Sequence, residues 1–265
     1  MDMPFPLAFP EGPTIPAVRV DRLDALPAAL GALGLRFPRP TLVLIGGASG
    51  LEPAMRNRLR DLFARALAAP VAARNAVIVD GATDSGIMQL IGQARRGASG
   101  SDGSPPFPLV GVAAEGTVIL PGADSAASDA DKAPLEPNHS HFVLVPGTKW
   151  GDESPWIARV ATVLAGPNPS VAVLCNGGEV SWTDVRCNAL DEGRPVIVLA
   201  GSGRTADALA QAMARGAAGS NSERARLLIA SGRLRAWDMA EGPDALAGII
   251  KQHLLGAADE DSGDR

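Results

Sequence analysis

The chain has 265 residues, 46% of them hydrophobic and 20% charged, with a formal net charge of −5; that is enough for one large α/β core or two small ones. No block of Lys or Arg stands out, so the basic footprint of non-specific nucleic-acid binding is missing, and aromatics at 4% without any Tyr offer few stacking platforms for single strands. No stretch approaches the ~18 apolar residues of a membrane span, and MDMPFPLAFPEGP lacks the charged and apolar regions of a signal peptide, so a cytoplasmic protein is expected.

Residues 1–16 are Pro-rich and read as an extended arm, residues 17–255 as a single domain, and 256–265 as a disordered acidic tail. Apolar runs suited to buried parallel strands lie at Thr41–Gly46, Ala76–Asp80, Leu109–Ala114, Phe142–Val145, Val171–Cys175 and Val196–Ala200, with Arg233–Trp237 as an edge strand. Helical periodicity fills the gaps. Met55, Leu59, Leu62, Phe63, Ala66 and Leu67 share one face of a helix near 51–68, and Ile87, Leu90, Ile91 and Ala94 do so after Gly86. Trp156, Val160, Val163 and Leu164 mark a helix ending near Gly166, and three more follow Gly203. Gly97–Pro108 and Pro121–Pro137 break the rhythm and read as loops. Strands alternating with helices predict a Rossmann-like, doubly wound, mainly parallel sheet of about six or seven strands with helices on both faces. The two cysteines, Cys175 at a strand end and Cys187 on the next helix, read as small core hydrophobes in a reducing compartment.

Four strands run straight into glycine-rich turns that open helices: LVLIGGASG (42–50), VIVDGATDSG (77–86), VAVLCNGGE (171–179) and VIVLAGSGR (196–204). In parallel α/β sheets ligands sit outside the carboxyl ends of strands, and bare N–H groups at helix starts favour a phosphate. The turns therefore predict one shared crevice. Its candidate ligand-binding residues are Gly46, Gly47 and Ala48; Gly81, Thr83, Asp84, Ser85 and Gly86; Asn176, Gly177, Gly178 and Glu179; and Gly201, Ser202, Gly203 and Arg204. Thr83 or Asp84 is suited to cap its helix, Glu179 to accept ribose hydroxyls or cap, and Arg204 to grip a phosphate with its fork.

Gly201–Ala206 fits G-x-G-x-x-G/A, but on the last core strand rather than the first, which argues against a standard NAD site. No G-x-x-x-x-G-K-[ST] and no G-x-S-x-G occurs, so neither a P-loop ATPase nor a serine hydrolase is supported. His139 and His141 alternate on an extended segment and point the same way, so both rings are candidates for ligand contact. No Cys, Asp or Glu nearby in sequence completes a metal site, so no metal or obligate cofactor is expected.

Taken in order, Gly81–Gly86, Asn138–Phe142, Asn176–Glu179 and Gly201–Asp207 resemble motifs of the SLOG superfamily. They are most similar to its LSDAT group, the ligand-sensing domain of TRPM channels and its stand-alone prokaryotic relatives. The resemblance spans residues 40–215. It implies a Rossmann-like domain binding a nucleotide or a nucleotide-derived ligand such as ADP-ribose. The superfamily also holds LOG-type phosphoribohydrolases, with the hallmark P-G-G-x-G-T-x-E-E. Here the aligned stretch reads N-G-G-E-V-S-W-T-D, with Val180 for the glycine and Thr183 and Asp184 for the Glu pair. The expected function is thus binding or sensing, with no catalytic residue assigned. Hydrolysis of a nucleotide N-glycosidic bond is the alternative, and a nicotinamide-dependent oxidoreductase a weaker third. A sensor without a fused effector domain calls for a homo-oligomer or a separate effector protein.

Overall fold

The computed structural model describes residues 3–10, 12–47, 51–98, 106–123 and 131–255. The expected acidic tail and much of the two expected loops lie outside these residues. In chain order the strands are β1 (Phe5–Ala8), β2 (Thr14–Arg19), β3 (Thr41–Gly46), β4 (Val77–Asp80), β5 (Leu109–Ala114), β6 (Val118–Ile119), β7 (Ala133–Pro134), β8 (His141–Val145), β9 (Ser170–Cys175), β10 (Val196–Ala200) and β11 (Leu234–Asp238). The helices are α1 (Leu26–Ala32), α2 (Pro53–Leu62), α3 (Ala69–Ala73), α4 (Gly86–Gly97), α5 (Ser154–Ala165), α6 (Glu179–Arg186), α7 (Arg204–Arg215), α8 (Glu223–Ala230) and α9 (Pro243–His253).

Nine strands form one sheet in the order β1-β2-β8-β5-β4-β3-β9-β10-β11, and β6 pairs with β7 apart from it. Every neighbouring pair in the large sheet is parallel except β1–β2. The six central strands are apolar on both faces because helices cover both. Leu42 and Leu44 of β3 pack with Leu90 of α4 and Ile250 of α9. Val43 and Ile45 face the opposite way, toward Val160 of α5 and Leu209 of α7. A strand buried on both sides needs no polar–apolar alternation.

The expected six or seven strands become nine because the amino-terminal segment joins the sheet. The segment read as an arm is extended over Phe5–Ala8 and from Thr14 on, yet β1 and β2 form a hairpin whose second strand pairs with β8. Prolines hid it. Pro6 lies opposite Pro16, and neither has an N–H. The pair occupies a position of the antiparallel ladder where no hydrogen bond is exchanged. Leu7, Ile15 and Ala17 are buried against Phe142 and Leu144, so the hairpin is part of the core.

The chain steps from β3 to β4 to β5 in one direction. After β8 it crosses back through α5 to β9, on the other side of β3, and then moves outward through β10 to the edge strand β11. The order reverses between β3 and β9. A crevice at the carboxyl ends of those two strands is where a doubly wound sheet places a ligand.

Candidate functional site: a cavity at the strand reversal

A cavity of about 300 Å³ opens at that reversal, within the range of small-molecule sites. Gly46 and Gly47 line it from β3, Gly81 and Thr83 from the turn after β4, Gly178 and Glu179 from that after β9, and Arg204 from that after β10. The four glycine turns thus converge, and Leu44, Met88 and Ile157 supply apolar wall. Of the four non-glycine residues with positive φ among the described residues, three sit on these turns: Ala82 at 68°, Asn176 at 58° and Arg204 at 50°. Such strain persists only where surroundings over-determine it, and it clusters at ligand clamps.

Arg204 spans the reversal. Its Nη1 lies 3.1 Å from where a Cβ on Gly47 would stand, and its Nη2 lies 3.3 Å from the same point on Gly178. Side chains at either glycine would displace the guanidinium. Gly47 is tighter still, since a Cβ there would come within 2.5 Å of the Gly177 carbonyl oxygen. The two turns therefore pass each other backbone to backbone, with the guanidinium laid across them.

A second wall is acidic. Trp150, Glu153 and Asp184 line the cavity. Asp184 Oδ1 accepts from Ser154 Oγ at 2.6 Å, while Glu153 accepts the Gly151 N–H at 3.0 and 3.1 Å. Burial raises the Glu153 pKa. Burial, with repulsion from Glu153 added, pushes Asp184 up to about 7 against the relief of its Ser154 bond.

The family model described as SLOG in TRPM, prokaryote, matches residues 39–247. The chain belongs to that family. It is similar to mouse transient receptor potential cation channel subfamily M member 2, at 29% identity over 67% of this chain and 14% of the channel. The rat channel of the same name is also 29% identical, over 68% of this chain and 14% of the channel. The sea-anemone (Nematostella vectensis) member-like 2 protein is 27% identical over 65% and 13%. The chain thus corresponds to about a seventh of the channels' length. The X-ray structure of TM1055, a structural-genomics target, shares the fold with a TM-score of 0.52 at 20% identity, covering 80% of this chain and 99% of that one.

Several expected site residues of this SLOG domain do not line the cavity. Ala48 lies outside the described residues. The two histidines do not face one pocket. His139 is buried on the sheet face, stacked on Phe142 at a centroid distance of 5.3 Å, with Nε2 2.8 Å from Asp80 Oδ1 and Nδ1 2.9 Å from Glu136 Oε2. His141 begins β8 and meets Ser140 Oγ at 2.8 Å; burial, with nearby Arg95, lowers it to about 4. Sequence alternation gave parallel directions, but the segment leaves the extended path before β8 starts.

His139 acts behind the cavity. Asp80 Oδ1 also accepts the Ala82 N–H at 2.8 Å, Ala82 O accepts the Glu136 N–H at 2.9 Å, and Pro134 O accepts the Asp84 N–H at 2.8 Å. The β4 turn is therefore clamped from below by the segment before β8. Neither Thr83 nor Asp84 caps α4. Ser85 is the N-cap, without a side-chain capping bond, and its Oγ instead meets Thr83 Oγ1 at 3.2 Å. Asp84 accepts from Gln89 at 3.0 Å, while Gly86 starts the helix at φ 51°.

The β9 and β10 turns are locked together. Ser202 Oγ accepts the Asn176 N–H at 2.8 Å and Asn176 Nδ2 donates to Ser202 O at 2.9 Å, so Asn176 and Ser202 hold the turns rather than line the cavity. Gly177 and Gly203 allow this close approach, since a Cβ on Gly203 would stand 3.0 Å from Asn176 Nδ2. The Gly201 N–H donates to Asp207 at 2.7 Å. Glu179 lines the cavity, yet its carboxylate pairs with Arg224 across the Trp182 ring. Burial pushes the Cys175 thiol up to about 12 and Cys187 to about 11, as suits core residues. Trp150, Glu153 and Ser154 were not singled out in the sequence, although Gly147 and Gly151 make their loop one more glycine-bearing turn from a strand into a helix. Asp184 stood out only through its place in the LOG-type alignment.

Proposed function

We propose that this SLOG domain binds and senses a nucleotide or nucleotide-derived ligand of the ADP-ribose kind, with its phosphate at Arg204. The placement of the guanidinium across Gly47 and Gly178, in a cavity at the strand reversal, supports this reading above all. A planar fork laid across two glycine turns suits a phosphate better than a neutral group. The phosphate-binding set is Gly46, Gly47, Gly81, Gly178 and Arg204, with Thr83 and Glu179 at its border. We place the protein in the cytoplasm, where such metabolites are abundant, signalling through a separate effector or a second copy. No helix among the described residues is long and apolar enough to cross a membrane.

A second reading is favoured by one observation. Asp184, pushed up to about 7 in the cavity, has the proton affinity of a general acid–base group, which suits hydrolysis of an N-glycosidic bond. Thermal-shift screening of ADP-ribose, AMP, NAD and cyclic nucleotides, followed by chromatography of each hit, separates the two. A hit recovered intact supports sensing, and release of free base supports hydrolysis. No hit, or hits that Arg204→Ala binds equally well, sinks the nucleotide site.

A further inference from the structure

No Lys, Arg or His among the described residues forms an ion pair with the acidic wall. Glu153 is 7% exposed and accepts backbone N–H groups alone, from Gly151 and from its own residue. Asp184 is 9% exposed, and no described donor reaches its Oδ2. Two carboxyl groups share a partly closed cavity, and each is raised by burial. Holding them there costs stability unless something positive arrives. A neutral diol would satisfy an oxygen but leave the repulsion between them. A cation offsets both burial and repulsion.

An aromatic residue completes the wall. Trp150 is 40% exposed and lines the cavity. Its Nε1–H donates to Asp131 O at 2.9 Å, which anchors the indole by its edge and leaves its face for contact. Gly151 stands 3.5 Å, measured from a Cβ built on it, from Val180 Cγ1, so this loop packs on the first turn of α6, the helix that carries Asp184. An indole face beside carboxyl groups is a setting that attracts organic cations.

We propose that Trp150, Glu153 and Asp184 form a cation subsite, so that the ligand is a nucleotide whose base carries a positive charge. The inference rests on the phosphate site at Arg204. It adds that the cavity has two poles, one for the phosphate and one for a cationic ring.

Nicotinamide mononucleotide and its 1,4-dihydro form test this, because they share phosphate and ribose and differ in the charge of the ring. AMP serves as a third probe with a neutral base. By calorimetry at pH 8 the cationic form is expected to bind at least about tenfold more tightly than the dihydro form or AMP, the scale of one desolvated cation–π or charge contact. In Asp184→Asn, and in Glu153→Gln with Asp184→Asn, that preference should fall to within about twofold. The single variant keeps an acceptor for Ser154 should the double one fail to fold. Equal affinity for both forms, or a preference untouched by the variants, overturns the cation subsite and leaves the phosphate site standing. No binding by any of the three probes overturns both.

Discussion

Replacing His139 by Gln tests how the cavity floor is held. Both ring nitrogens lie within 2.9 Å of a carboxyl oxygen, on Asp80 and on Glu136, and the three side chains are 0–1% exposed. Only the doubly protonated ring donates to both. Burial alone would favour the neutral ring, but the two acids outweigh it and raise His139 from 6.5 to about 9. A pKa raised on folding stabilises the fold fully below pH 6.5, and that contribution is lost as pH rises through about 9. At about 1.4 kcal/mol per tenfold change in proton affinity, the interval amounts to roughly 3 kcal/mol. His139→Gln donates to one acid at most and strands the other, a change that typically costs about 3–5 kcal/mol in a buried ion pair. Urea unfolding at pH 6, 7.5 and 9.5 should show the wild type losing stability across this window, with the gap to the variant narrowing toward pH 9.5. A gap constant with pH would mean that the ring contributes only its packing on Phe142, and would refute the charged clamp.

Arg204→Ala should weaken nucleotide binding by about 10- to 150-fold, the worth of a charge-assisted hydrogen bond, with Arg204→Lys rescuing only part; unchanged calorimetric affinity would remove the phosphate from this position. Gly178→Ala should cost about tenfold in affinity with little loss in melting temperature, because its Cβ would meet only the Arg204 guanidinium, 3.3 Å away on a flexible side chain. Equal losses of affinity and stability would show that Gly178 serves the turn itself. Asp184→Asn should gain stability at pH 8 and not at pH 4, because the raised carboxyl favours folding only while protonated, an advantage lost between pH 3.8 and about 7. Removing the charge should return up to about 4 kcal/mol at pH 8, and denaturant titration at the two pH values checks it.

The central sheet was legible because strands buried on two faces must be continuously apolar. Runs such as Thr41–Gly46 and Val196–Ala200 have no other use in a chain of this composition. The four glycine turns were legible too, since backbone that turns sharply or passes close to another segment needs residues without Cβ, and the parallel topology brings their ends together. The hairpin of β1 and β2 was not. Its prolines mimic a linker, and only the pairing of Ala17 with Phe142 makes it part of the core. The histidines were singled out for the wrong partners. Asp80 lies 59 residues from His139 and meets it only because β4 and β5 are adjacent and β8 lies beside β5. The acidic wall was likewise invisible, since Glu153 stands just before α5 and Asp184 on α6, and only the packed fold brings the two to one cavity. Local backbone needs leave marks in the sequence, because each residue carries its own steric signature. Contacts between charges far apart in the chain leave none, because nothing but the packed fold decides which of them meet.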